Sequence, residues 1–243
     1  DYNQSHKPVR EQTEVFGHSV RAVYLYTAMA DLALELQDEA LKKACETLYR
    51  DITERKMYIT GGIGSTCVGE VFTRAYDLPN EEAYTETCAG IGLMFFCERM
   101  LALEAKATYA DTIERVLYNG VLSGLSLDGK AFFYENPLEI DPAFNDVNAS
   151  STLKDRYPIT ERKEVFDCSC CPPNVVRFIP SIADYMYTYD ENTLYIHQYI
   201  DSETVCGDIK ITQNTRYPEN GSVKIKCSAG ARRIALRIPG WCK

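Results

Sequence analysis

The stretch Cys168-Ser-Cys-Cys-Pro-Pro-Asn174 places three cysteines within four positions and follows them with two prolines. The prolines stop a helix or a central strand from running through the thiols. A disulfide between the neighbours Cys170 and Cys171 would have strained geometry, whereas two thiolates on one rigid turn suit a soft metal ion such as zinc. We therefore favour a functional site over the alternative of buried or surface thiols.

A helix is predicted directly after these cysteines. Pro173 can serve as its first residue, and residues 174–187 continue with a helical pattern. The positive end of that helix would lower the pKa of the nearby thiols. The sequence thus predicts ionised sulfur in a fixed place.

Composition and charge limit the classes of function. The 243 residues allow one large domain or one and a half smaller ones. A net charge of −9, without any lysine or arginine cluster, argues against nucleic-acid binding. The longest apolar run, residues 89–97, is too short to cross a membrane. Seventeen tyrosines and nine phenylalanines fit a carbohydrate-binding cleft, but core packing explains them equally well.

The ten cysteines do not form the disulfide framework of a short, loop-rich secreted domain. Cys45 and Cys97 lie in apolar helical patterns, where a free cysteine behaves as a small hydrophobic residue. We expect a reducing compartment and a cytoplasmic protein, without excluding export of a longer parent. Asp1 is not a natural start, so we expect a processed chain or a piece of a longer one.

Apolar periodicity predicts a mainly helical protein with a β C-terminal part. The predicted helices are residues 18–35, a second beginning after the N-cap Asp38, and then 86–105, 108–123 and 174–187. Asp128-Gly129 predicts a hairpin. Alternating strands at 194–200, 208–212, 222–227 and 233–238 indicate an antiparallel sheet with too few strands to close a sandwich. We place a helical domain at 1–188 and an incomplete β-domain at 189–243.

Glu86-Thr-Cys88 is a second pair with metal-ligand character. Residues two apart can share one ion only where a helix starts, and a helix is predicted to start here. Taken alone, the pair is better explained by a capping glutamate and a buried cysteine. Together with Cys170 and Cys171 it completes a set of one carboxylate and three thiolates, which zinc accepts.

The glycine-rich stretch Gly61-Gly-Ile-Gly-Ser-Thr-Cys-Val-Gly-Glu70 resembles a nucleotide-binding loop but fails both known patterns. A P-loop needs lysine where Glu70 stands, and a dinucleotide fingerprint needs glycine at Cys67 after a strand. What remains is a loop that presents one carboxyl group. Most loop glutamates are only solvated, so the interest of Glu70 depends on its surroundings.

Of the three histidines, His18 stands at a predicted helix start, where it could reach a ligand or serve as a cap or core residue. His197, on an alternating strand, is better interpreted as structural. So few histidines do not support a Ser-His-Asp arrangement.

In combination, these motifs resemble the β-L-arabinofuranosidases of glycoside hydrolase family 127, the former DUF1680 group. The resemblance extends over most of residues 8–243, and the Cys-Cys-Pro-Pro-Asn element is its most specific part. It implies an (α/α)₆ barrel followed by β-sandwich domains, of which this chain would hold part of the barrel and the start of a sandwich. Since about five of the expected twelve barrel helices can be counted, we expect the isolated chain to be inactive or nearly so.

The resemblance also implies roles for particular residues. Zinc would be held by Glu86, Cys88, Cys170 and Cys171. Cys170 would be the nucleophile of a retaining exo-glycosidase and Glu70 its acid/base. His18 and Tyr134 would contact the sugar, an L-arabinofuranoside.

Two other classes of function remain open. A closed set of four ligands is also what a structural zinc module looks like, without any catalysis. The second alternative is another carbohydrate-active enzyme on the same barrel, such as an epimerase. A homodimer is also left open, and neither nucleic acid nor a membrane is expected as a partner.

Overall fold

The computed structural model describes residues 2–141, 159–228 and 233–242 of the chain. Its helices are α1 (Ser19–Glu35), α2 (Glu39–Asp51), α3 (Thr87–Leu103), α4 (Ala107–Val116) and α5 (Cys171–Phe178). Its strands are β1 (Gly17–His18), β2 (Val71–Phe72), β3 (Tyr187–Tyr189), β4 (Thr193–Ile196), β5 (Ser202–Cys206), β6 (Ile209–Thr215), β7 (Val223–Cys227) and β8 (Arg233–Leu236). The predicted fold class, mainly helical with a β C-terminal part, is confirmed.

Helix α3 lies at the centre of the helical part and packs against α1, α4 and α5. Its sequence is apolar on all sides, which is typical of a helix with no solvent-facing side. Accordingly, residues from Thr87 to Leu101 are largely buried. Glu86 and Cys88 lie at the start of α3. The packing of α3 in the core therefore fixes the position of these two residues, which form one half of the candidate site.

Four helix ends, in α2, α4 and α5, test the sequence predictions. Asp38 caps α2 as predicted, since its side chain accepts a hydrogen bond from the main-chain N–H of Leu41 at 2.9 Å. The helix predicted over 108–123 stops at Val116 and continues as a π-helical turn, Leu117–Val121. The prediction for 174–187 is wrong at both ends, because α5 begins at Cys171 and gives way to a 3₁₀ turn, Ile179–Tyr185. Pro180 lacks the N–H that an α-helix would need there.

The C-terminal strands form two three-stranded sheets, in the orders β3-β4-β8 and β5-β6-β7. The prediction of an antiparallel sheet is wrong for one pairing, since β4 and β8 run parallel. Strands β3 and β5 were not predicted. The predicted hairpin at Asp128-Gly129 is present as an isolated antiparallel bridge between Leu125 and Phe132. The sequence of residues 138–163 is polar and typical of a loop, and residues 142–158 of it lie outside the described part.

The sheets are joined to the helices by a buried ion-pair cluster. Arg237, just after β8, binds Asp111 at 2.6 Å and also Glu114, both on α4, and its side chain is only 2% exposed. Nearby, the amide of Gln198 donates to the carbonyl of Ala110 at 2.8 Å. We retain as a proposal the division of the chain near residue 188.

Among the described residues, no helix combines the length and the apolar composition that a membrane crossing requires.

Candidate active site and metal centre

Two helix N-termini bring the Glu/Cys₃ set together. Glu86 is the N-cap of α3, and Cys88 lies in its first turn. Cys170 is the N-cap of α5, and Cys171 is its first residue. Since α3 packs against α5, these two turns face each other. The four side chains that the sequence analysis combined therefore meet in one place.

The distances within this set are short. Sγ of Cys88 lies 3.4 Å from Sγ of both Cys170 and Cys171, and the latter two sulfurs are 3.8 Å apart. Oε1 of Glu86 lies 3.3 Å from Sγ of Cys170 and 3.9 Å from Sγ of Cys171. All four ligand atoms lie within 4.8 Å of one another. The sulfurs are too far apart for a disulfide, whose S–S bond measures about 2.05 Å, and all are free thiols.

This arrangement fits a metal ion. Sulfur ligands at about 2.3 Å from a tetrahedral ion lie roughly 3.8 Å from one another, close to the spacings found here. Glu86 is only 3% exposed, and its Oε2 has no hydrogen-bond partner among the described residues. Leaving a buried carboxylate oxygen without a partner is costly, and a bound cation would remove that cost.

The electrostatics of the four side chains are strongly coupled. Hydrogen bonds from Cys171 and Cys88 hold the pKa of Cys170 far below its usual range. Contacts with Cys170 and Cys88 raise the pKa of Cys171, and the contact with Cys170 raises that of Cys88. Burial, with the nearby Cys170 thiolate, raises the pKa of Glu86 to about 8. Among the three thiols of the set, the pKa is therefore lowered only at Cys170.

Glu70 is paired with His18. Nε2 of His18 lies 2.8 Å from Oε2 of Glu70, and the imidazole is 12% exposed. The pairing of β1 with β2 puts His18 opposite Val71, the residue that follows Glu70. Two residues whose roles were suggested only by resemblance thus contact each other directly.

The glycine-rich loop holds Glu70 in an unusual backbone conformation. Glu70 has φ of 57°, in the left-handed region that few residues other than glycine adopt. Its carbonyl accepts hydrogen bonds from the N–H of Ser19 at 2.9 Å and from the Ser19 hydroxyl at 3.1 Å. Such strain persists only where the surroundings fix it, and it is common at functional sites.

A cavity of about 540 Å³ opens beside the cluster. It is lined by Glu70, Tyr134 and Cys168 from the sequence motifs, and by Tyr84, Glu135 and Phe166, among others. The hydroxyl of Tyr134 also lies 3.2 Å from Sγ of Cys170. The cavity therefore carries Glu70 and reaches the sulfur of Cys170 through Tyr134.

Sequence reasoning missed Tyr84, Glu135 and Phe166 as cavity residues. Tyr84 is 1% exposed and resembles any core tyrosine in its sequence context. Glu135 follows Tyr134 directly, and that adjacency was the only available signal.

His197 lies outside the site: it is 5% exposed and its Nε2 is 2.7 Å from Oγ1 of Thr188, as its structural interpretation predicts.

Two family profiles match the chain. The β-L-arabinofuranosidase GH127 catalytic domain matches residues 1–184, and the GH127 middle domain matches residues 193–243. The chain belongs to glycoside hydrolase family 127.

Similar proteins include a non-reducing end β-L-arabinofuranosidase from Bifidobacterium longum subsp. longum, which is 39% identical over all of this chain. A GH127 β-L-arabinofuranosidase from Geobacillus stearothermophilus T6 superposes on all of it with a TM-score of 0.91 and 48% identity. A further GH127 β-arabinofuranosidase covers 99% of it with a TM-score of 0.85 and 42% identity. The chain spans 37%, 38% and 36% of these three relatives, respectively.

Proposed function

We propose that the protein to which this chain belongs is a retaining exo-glycoside hydrolase acting on β-L-arabinofuranosides. Cys170 is its nucleophile and Glu70 its acid/base. The observation that carries the proposal is the meeting of a largely buried Glu/Cys₃ set, in which the sulfur of Cys170 contacts Tyr134, with a cavity that Tyr134 and Glu70 both line. The names of the relatives support the choice of sugar.

In the first step, the Cys170 sulfur attacks the anomeric carbon, and the bond from that carbon to the leaving oxygen breaks. Glu70 gives its proton to that oxygen, so the leaving group departs as an alcohol. In the second step, Glu70 takes a proton from water, whose oxygen attacks the anomeric carbon. The carbon–sulfur bond breaks and the thiolate is restored. Two displacements at one carbon retain its configuration.

The ion proposed for the Glu/Cys₃ set is zinc, which accepts both thiolate and carboxylate ligands. When bound, zinc would keep the thiols ionised and hold them in position. Glu86, Cys88, Cys170 and Cys171 would be its ligands. His18 holds the Glu70 carboxylate, and with Tyr134 it is proposed to contact the sugar. Ten free cysteines support a reducing, cytoplasmic location.

The zinc proposal is tested by elemental analysis of protein purified without added metal. We expect one zinc ion per chain. Cys88→Ser should lose most of it, because serine is a poor ligand for a soft site. Cys242→Ser, at an exposed cysteine far along the chain, should keep it. Wild-type protein without zinc would contradict the assignment.

The catalytic roles are tested by Cys170→Ser and Glu70→Gln in the intact protein. Both should lose turnover on ordinary substrates, and removal of the acid/base costs roughly 10²–10⁴ in rate. A nitrophenyl glycoside needs little protonation of its leaving group. With it, the Glu70 variant should form a thioglycosyl adduct and stall, and azide, which needs no general base, should rescue it. The Cys170 variant should not react.

The roles are wrong if both variants lose activity equally on activated and unactivated substrates and azide rescues neither. A sugar-epoxide probe adds a separate check, because it should label Cys170 in an enzyme and nothing in a purely structural zinc module. Release of free sugar distinguishes hydrolysis from epimerisation.

A further inference from the structure

Outside the Glu/Cys₃ set, the sulfur of Cys170 also contacts Tyr134. Its hydroxyl oxygen lies 3.2 Å from Sγ of Cys170, within the range of a hydrogen bond to sulfur. The other contacts of this sulfur are Glu86, Cys88 and Cys171. Tyr134 also lines the cavity that holds Glu70. Its hydroxyl thus stands where the proposed nucleophile meets the proposed sugar pocket.

The position of this hydroxyl is fixed from several sides. The carbonyl of Tyr134 accepts a hydrogen bond from the N–H of Thr87 at 3.0 Å, which ties it to the first turn of α3. Its ring packs against Tyr84 and Phe166, with centroids 6.2 and 5.8 Å away. The side chain of Asn136 strengthens the connection by donating to Oγ1 of Thr87 at 3.1 Å. These contacts therefore fix the position of Tyr134 relative to Glu86 and Cys88, the neighbours of Thr87.

The direction of the hydrogen bond follows from the chemistry of the site. A sulfur that is bound to a metal ion, or that is ready to attack carbon, is a thiolate and carries no proton. The only proton available to this contact then belongs to the tyrosine hydroxyl, which donates to sulfur.

We propose that Tyr134 is a catalytic hydrogen-bond donor to the Cys170 sulfur, with its main effect on the second step of the reaction. This inference rests on the proposed function. When the thiolate attacks, its negative charge is used up in the new carbon–sulfur bond, and the hydrogen bond weakens. When that bond breaks, the charge returns to sulfur and the hydroxyl stabilises the departing thiolate.

The test is Tyr134→Phe, which keeps the ring and removes the donor. With a nitrophenyl β-L-arabinofuranoside, the second step should slow by roughly 10- to 100-fold, as expected for one hydrogen bond to a charged group. The kcat and KM should fall together, with a burst of nitrophenol and a thioglycosyl adduct on Cys170 visible by intact mass spectrometry. Zinc content should not change.

A matched control is Tyr49→Phe, which removes another buried tyrosine hydroxyl, one that donates to the carbonyl of Thr108 at 2.8 Å. This variant should show wild-type kinetics without adduct. A second probe places 3-fluorotyrosine at position 134, where the more acidic phenol should donate more strongly and speed the second step. It works even if the phenylalanine variant folds poorly.

The proposal is overturned if Tyr134→Phe raises KM, leaves kcat unchanged and accumulates no adduct, because Tyr134 would then only bind sugar. It is also overturned if the fluorinated protein turns over more slowly. If the Cys170→Ala variant remains active, the proposed function itself fails. If the Cys170→Ala variant is inactive but the kinetics of Tyr134→Phe match those of wild type, only the inference about Tyr134 is wrong.

Discussion

At the scale of single residues, His197 shows how burial decides a charge. Burial, with the nearby Arg237 cation as a second cause, lowers the pKa of His197 to about 4 from an ordinary value of 6.5. Arg237 also donates through its Nε to the carbonyl of His197. Neutral imidazole, paired with the Thr188 hydroxyl, is thus built into the β part of the chain.

This shift predicts a pH-dependent stability. Because the folded-state pKa lies below the ordinary value, the unfolded chain binds the proton more tightly. The contribution of His197 is therefore fully present above pH 6.5 and is lost as the pH falls towards 4. Its size is about 3 kcal/mol, from 1.36 kcal/mol per pKa unit.

Urea unfolding of wild type and His197→Gln at several pH values within this window measures the effect. Glutamine keeps a donor near Thr188 but does not titrate. The free energy of unfolding of the variant should therefore fall less steeply with decreasing pH than that of wild type. Equal slopes in the two proteins would contradict the prediction.

Motif spacing predicted the Glu/Cys₃ set, whereas the roles of Glu70, His18 and Tyr134 were implied only by the family resemblance. The contacts among these residues could not be predicted. Glu86 and Cys88 near a helix start, and Cys170 and Cys171 before a proline, were visible as two half-sites. The contact between His18 and Glu70 depends on a two-residue strand pair that has no sequence signal. The place of Tyr134 beside Cys170 likewise depends on a loop that hydrogen-bonds to the start of α3.

At the scale of secondary-structure elements, the long apolar patterns were the reliable part of the sequence. Helix α3 is largely buried and long, and α2 shows one clear apolar face, so both were predicted. Strand β5 was missed because Ser202 and Thr204 occupy half-buried positions and give no apolar alternation. Strand β7, with the same burial pattern, has Val223 and Ile225 at the corresponding positions and was predicted. The parallel pairing of β4 with β8 depends on tertiary packing, and the alternation of apolar and polar residues alone does not predict strand direction.

The glycine loop gives a prediction at this scale. Gly64 has φ of 86°, and a Cβ added there would lie 2.9 Å from Oγ of Ser19. Ser19 in turn holds the carbonyl of Glu70. Gly64→Ala should therefore strain the backbone, displace Ser19 and loosen Glu70, with a loss of stability of about 1–3 kcal/mol and a lower kcat.

Gly129→Ala is the matched control, since Gly129 also has a positive φ, 71°, but a Cβ there would meet nothing within 4 Å. It should cost stability without changing kcat. Thermal unfolding and turnover of the two variants provide the comparison. If both lose turnover equally, the link from Gly64 through Ser19 to Glu70 is wrong.

At the scale of the whole molecule, the attachment of the sheets to the helices depends on few buried polar groups. Arg237 crosses from the end of β8 to α4, where Asp111 and Glu114 bind its guanidinium. Trp241 adds a hydrogen bond from its indole N–H to Glu114 at 2.8 Å. We expect these contacts to fix the orientation of the β part against the helices that carry the site.

Replacing Arg237 with methionine should leave Asp111 and Glu114 without their cation. Removal of one partner from a buried ion pair destabilises a protein by about 3–5 kcal/mol, mostly through the charge left behind. Hydrogen exchange followed by mass spectrometry should show faster exchange in β4, β8 and α4, because the ion pairs of Arg237 lie on α4. Helices α1 and α3 should keep wild-type protection. Arg233→Met, at an exposed arginine of β8, is the control and should change stability by less than about 0.5 kcal/mol. Uniformly faster exchange in all helices would mean that the two parts unfold as one unit, and unchanged exchange would mean that the ion pairs do not hold the sheets in place.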